Sequence, residues 1–123
     1  MNLLAVDYGR KHVGIACSTT SLAEPVTSIS LDQSISYLQQ YIKTHPVEKI
    51  ILGLPEGPIS KEVQKYAQVL KQQIPLPIEL YDETLSSQLA KKNLKHAKRS
   101  KRSGPDHHFA AAVFLQDYLD HAG

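Results

Sequence analysis

A single cysteine, Cys17, stands in this chain, so no internal disulfide can form, which agrees with a reducing compartment. Alone in a strand-like run, it reads as a small core residue rather than a nucleophile. Long apolar stretches are missing too. None approaches the roughly 20 residues that a membrane span requires. Nor is there an amino-terminal basic stretch leading into an apolar run and a cleavage site, because Asp7 and Arg10 come too early. Internal repeats and low-complexity segments are absent. The expectation is a cytoplasmic protein with no membrane partner, folded as one domain over residues 1–123, since that length suffices for one core.

Negative charge is missing locally. "KKNLKHAKRSKR", residues 91–102, contains Lys91, Lys92, Lys95, Lys98, Arg99, Lys101 and Arg102 and no acid, which is half of the chain's 14 Lys and Arg. Such a run reads either as a solvated helix face or as a phosphate-binding patch, and the second reading requires a phosphate-handling site beside it. No aromatic residue interleaves the run, so it carries no sign of base stacking.

Apolar patterning predicts an alternating chain. Residues 2–8 and 12–18 form a hairpin around "GRK", and a third strand covers 26–31 after Pro25. "DQSISYLQQYIK" places Ile35, Leu38 and Ile42 on one helical face, with Asp32 or Ser34 as the cap, and ends before Pro46. "KIILGL", 49–54, is a strand covered on both faces. "SKEVQKYAQVLKQQ" is an amphipathic helix with Val63, Tyr66, Ala67 and Leu70 on its stripe. A strand at 77–81, a helix from about Thr84 to Ala97 and a helix from about Asp106 to His121 complete the chain. The order βββαβαβαα describes an α/β protein with a mixed five-stranded sheet and helices on both faces. In such sheets ligands gather beyond the carboxyl ends of the parallel strands, so acids at those ends are the residues to inspect.

Asp7 ends the first strand, Glu56 follows the middle strand, Asp82 and Glu83 end the last strand, and Asp106, His107 and His108 open the final helix. Singly, each has a plain explanation as a cap or turn residue. Together at one sheet edge, clustered carboxylates call for a cation, and Mg²⁺ or Mn²⁺ is the usual partner of oxygen ligands. Divalent ions beside a basic patch suit phosphodiester hydrolysis.

Four motifs resemble the YqgF (RuvX) family of Holliday-junction resolvases and pre-16S rRNA nucleases: "AVDYGRKHVGIA", "ILGLP", "DETLSS" and "DHHFAAAVFLQDYLD", in the family's order and across nearly the whole chain. The resemblance implies an RNase H-like fold, divalent-metal nuclease chemistry, and a substrate that is either precursor rRNA or branched DNA. It implies that Asp7 and Glu83 are catalytic metal ligands. Two departures follow from it. Thr84 stands where the family carries arginine, and aligning Ala110, Ala111, Leu115 and Gln116 with the closing motif puts His107, not Asp106, at the third carboxylate.

Adjacent helical residues point about 100° apart, so Asp106 and His107 are not interchangeable. Asp106 in an irregular first turn keeps an all-oxygen site of Asp7, Glu83 and Asp106. His107 as a ligand shifts the preference towards Mn²⁺. His107 as a general acid or base is the third role. His108 reads as a bystander, and Glu56, in a loop shorter than the family's, reads as a turn residue or a compensating ligand. Residues 91–102 then bind the substrate backbone. The expected protein is a nuclease, a monomer or weak homodimer. The alternatives are a nucleic-acid-binding protein of the same fold with weakened catalysis, and an actin-like ATPase, which needs two such domains.

Overall fold

The computed structural model describes residues 2–55, 57–82 and 107–122, the side chains of His107 and Ala122 excepted. Strands β1 (Leu3–Asp7), β2 (His12–Ser18) and β3 (Ala23–Ser30) lead into helix α1 (Leu31–Thr44), followed by β4 (Lys49–Leu54), α2 (Ile59–Gln73), β5 (Ile78–Asp82) and α3 (His107–Ala122). The five strands form one sheet in the order β3-β2-β1-β4-β5. Pairs β1–β2 and β2–β3 are antiparallel, whereas β1–β4 and β4–β5 are parallel. The expected mixed α/β sheet is therefore present. The helix expected from Thr84 to Ala97 lies outside the described residues.

Period-two alternation sorts each central strand between two cores. Leu4, Val6, Val13, Ile15, Ile50 and Leu52 face α1 and α2, where they meet Leu38, Val63, Tyr66, Ala67 and Leu70. Leu3, Ala5, Ala16 and Ile51 face the other way, against Ala111, Phe114 and Leu115 of α3. The stripe read in α2 is thus the buried one. In α1, Leu38 is buried while Ile35 and Ile42 pack at the edge of the same core.

Two details differ from the sequence expectation. Strand β3 begins at Ala23 rather than after Pro25, and Pro25 lies opposite Ala16 where the β2–β3 register shifts. Proline, which has no N–H to donate, is tolerated because β3 is an edge strand with an irregularity at that point. The cap of α1 is also different: Ser30 occupies the N-cap and makes no side-chain capping bond. Ser34 is buried inside the helix, donating from Oγ to the carbonyl of Leu31 (2.8 Å) and accepting from the Tyr66 hydroxyl (2.7 Å). It links α1 to α2 instead of starting α1.

Candidate active site

Asp7 continues the odd-numbered series Leu3, Ala5, and so belongs to the sheet face that α3 covers. It is 6% exposed. In the antiparallel ladder its Cα partner is Gly14, and on the other side Val6 pairs with Leu52, which brings Gly53 next in line. Both in-sheet neighbours of this carboxylate are thus glycines, which bring no side chain to its flanks.

The direction of α3 brings its amino end to the same edge. Gln116 accepts from the backbone N–H of Ala23 (2.9 Å) and donates to the carbonyl of Ser21 (2.9 Å), both at the β2–β3 turn. The Tyr118 hydroxyl meets Lys49 at the start of β4 (3.0 Å). Lys49 pairs with Leu3, so this part of α3 lies at the amino end of β1. From Tyr118 back to His107 the helix rises about 16 Å at ~1.5 Å per residue. From Leu3 to Asp7 the strand advances about 13 Å at ~3.3 Å per residue. The first turn of α3 accordingly stands at the carboxyl ends of the strands, where Asp7 is.

Strand β5 ends at that edge as well, with Asp82 opposite Leu54. The residue before it, Tyr81, donates its phenolic hydrogen to Asp117 of α3, and its ring meets those of Phe114 and Tyr118. Burial, then the Asp117 carboxylate, pushes the Tyr81 hydroxyl up to about 12. Nearer the amino end of β5, Lys49 Nζ donates to Glu79 Oε1 (2.8 Å), and the Tyr118 hydroxyl donates to the same oxygen (3.0 Å). These bonds hold Glu79 below the usual carboxylate range, the Lys49 bond most of all. Together they fasten α3 to β4 and β5.

On the opposite face, Tyr8 follows Asp7 and packs on Tyr66 at 5.1 Å between ring centroids. Its hydroxyl donates to Glu62 Oε1 (3.2 Å), and Arg10 grips the same carboxylate through Nε (3.1 and 3.0 Å) and Nη2 (2.8 Å). Arg10 draws Glu62 below its ordinary range. The hairpin tip beyond Asp7 is thereby tied to α2.

Of the sequence-inferred residues, Asp7 and Asp82 are located at the proposed edge, and His107 opens α3. Glu56, Glu83, Asp106 and Lys91, Lys92, Lys95, Lys98, Arg99, Lys101 and Arg102 lie outside the described residues. Among the described residues no three His, Cys, Asp or Glu side chains gather as a metal site. Asp7 itself offers a hard carboxylate oxygen of the kind that suits Mg²⁺ or Mn²⁺. Sequence reasoning gave His108 no role, yet it lies three and seven residues before Ala111 and Leu115, on the packed side of α3, and its Nδ1 is buried without a hydrogen-bond partner. That i, i+3, i+7 spacing was the available signal.

Residues 1–121 match the family model described as RuvX, Holliday junction resolvase. A Synechocystis protein named "Putative pre-16S rRNA nuclease" is 38% identical over 95% of this chain and 86% of its own length. One of the same name from Syntrophomonas wolfei is 35% identical over 98% of this chain and 94% of its own. Among solved structures, T. thermophilus RuvC in complex with a Holliday junction substrate superposes with a TM-score of 0.67 at 11% identity, covering 99% of this chain and 95% of that one. The fowlpox virus resolvase bound to Holliday junction DNA gives 0.52 at 11% identity, over 97% and 99% of the two chains. The chain thus shares the RNase H-like fold of these resolvases.

Proposed function

The chain belongs to the RuvX family of Holliday junction resolvases, and on that premise we propose that it is a divalent-metal-dependent nuclease acting on structured nucleic acid, with the 5′ end of precursor 16S rRNA as its substrate. The observation that carries the chemistry is Asp7: a buried carboxylate at a parallel-strand end, flanked by glycines, on the face where α3 begins.

Asp7 with Glu83 and Asp106 would hold Mg²⁺ or Mn²⁺, and the ion supplies Lewis-acid stabilisation of charge at the scissile phosphate. The residues of this chain do the rest. Gly14 and Gly53 admit the sugar-phosphate backbone to the Asp7 carboxylate. His107 serves in this reading either as a nitrogen ligand or as the group that moves a proton at the reacting water. The seven cations of 91–102 bind neighbouring phosphates, giving affinity without base identity. Hydrolysis adds water across one P–O ester bond, leaving a phosphate monoester on one product and a hydroxyl on the other.

The RuvX description favours a second substrate, four-way DNA. We place the protein in the cytoplasm as a monomer or weak homodimer. Among the described residues, no helix is long and apolar enough to cross a membrane.

The deciding experiment incubates the purified protein with a transcript spanning the 16S 5′ end and with a four-way DNA junction, each with Mg²⁺, Mn²⁺ or a chelator. Metal-dependent cleavage of the transcript, lost in Asp7→Asn, is expected. Cleavage of the junction alone selects the resolvase reading, and salt-sensitive binding of either without cleavage replaces the nuclease with a binding protein of the same fold.

A further inference from the structure

The first turn of α3 carries two aromatic rings that this chemistry does not use. Leu22, Val69, Leu80 and Phe109 are the large apolar side chains left exposed among the described residues, and Phe109, at 49%, is the aromatic one. Scattered exposed aliphatics are ordinary. Phe109 differs in place as well as in kind, because the amino end of α3 stands at the Asp7 edge.

Its neighbour explains how the ring is held. His108 and Phe109 lie 4.4 Å apart between ring centroids, with planes inclined at 34°. His108 is half-buried, and its Nδ1 is buried without a hydrogen-bond partner, so no bond from that nitrogen fixes the ring. A buried nitrogen without a partner costs stability, and such local costs are expected at functional sites. Here it backs one aromatic ring with another while leaving Phe109 half exposed.

We propose that Phe109, supported by His108, is a stacking plate for an unpaired nucleobase of the substrate near the scissile phosphate. The inference rests on the nucleic-acid reading of the Asp7 site and adds a substrate class to it. Bases inside a duplex are already stacked on their neighbours, whereas an unpaired base of any identity offers a free π-face to an aromatic side chain. The basic run 91–102 contains no Phe, Tyr or Trp, and base stacking is assigned instead to the first turn of α3. The protein then prefers unpaired nucleotides beside the cleaved bond, without sequence specificity.

The test uses the full chain and one oligonucleotide carrying 2-aminopurine, single-stranded or annealed to its complement. For wild type, tighter single-strand binding and quenched fluorescence of the stacked base are expected. Phe109→Ala should weaken single-strand binding about tenfold and relieve the quenching, leaving duplex affinity unchanged. Phe109→Trp should restore both, and Phe109→Leu, which keeps apolar bulk without a π-face, should not. Equal single-strand affinity in wild type and Phe109→Ala, or rescue by leucine, overturns the stacking plate while the nucleic-acid reading stands. A wild-type protein that binds neither form overturns both.

Discussion

The Tyr81 hydroxyl donates a hydrogen bond to the Asp117 carboxylate, which is 9% exposed, and so joins the last residue before Asp82 to the middle of α3. This bond relates the strand that leads to Glu83 to the helix that His107 opens. Tyr81→Phe removes a donor from a buried charged group, a loss of about 1.5–3 kcal/mol. Urea denaturation should show that loss, with little change in Phe109→Ala as the comparison.

Alkaline pH acts through the same group. Tyr41, Tyr66 and Tyr81 are each pushed up to about 12, principally by burial. Above pH 10 the unfolded chain releases these protons while the folded one keeps them, so the unfolded state is favoured progressively. The contribution of these three tyrosines should be constant below about pH 10 and fall between about 10 and 12. Denaturation midpoints across that range, with phenolate absorbance followed in parallel, check the direction.

Asp7→Asn keeps the size of the side chain and removes the charge. Changes to groups that merely support metal ligands cost about 10–100-fold, so on the ligand role proposed for Asp7 its replacement should cost at least about 100-fold in cleavage. Salt-sensitive nucleic-acid binding should survive. A variant that still cleaves at wild-type rate excludes Asp7 from the site.

Salt should report the basic run. Seven neutralised phosphates correspond to a log–log slope of about −6 on duplex DNA, from roughly −0.9 per contact. Replacing Lys98 and Arg99 together with alanine should reduce the slope by about 2. Fluorescence anisotropy from low to moderate salt measures it.

Phe114 seats α3 on the sheet and is fully buried. Phe114→Ala should destabilise the protein by about 3–5 kcal/mol, enough to be seen as a large drop in Tm.

Much of this was legible in the chain alone. Two-residue alternation sorted the strands, the 3.6-residue stripe Val63, Tyr66, Ala67, Leu70 identified the buried face of α2, and a carboxylate closing an apolar strand marked Asp7. These are local signals, because the backbone repeats that generate them span only a few residues. What local pattern could not supply was partnership. That Ser34 joins α1 to Tyr66, that Gly53 flanks Asp7, and that Tyr81 meets Asp117 depend on ladder register and on how α3 crosses the sheet, which bring together residues far apart in sequence. The same holds for the first turn of α3. In sequence, His108 and Phe109 are two ordinary residues of the run "DHHFAAA", and only the packing of Ala111 and Leu115 against the sheet turns one inward and leaves the other at the surface.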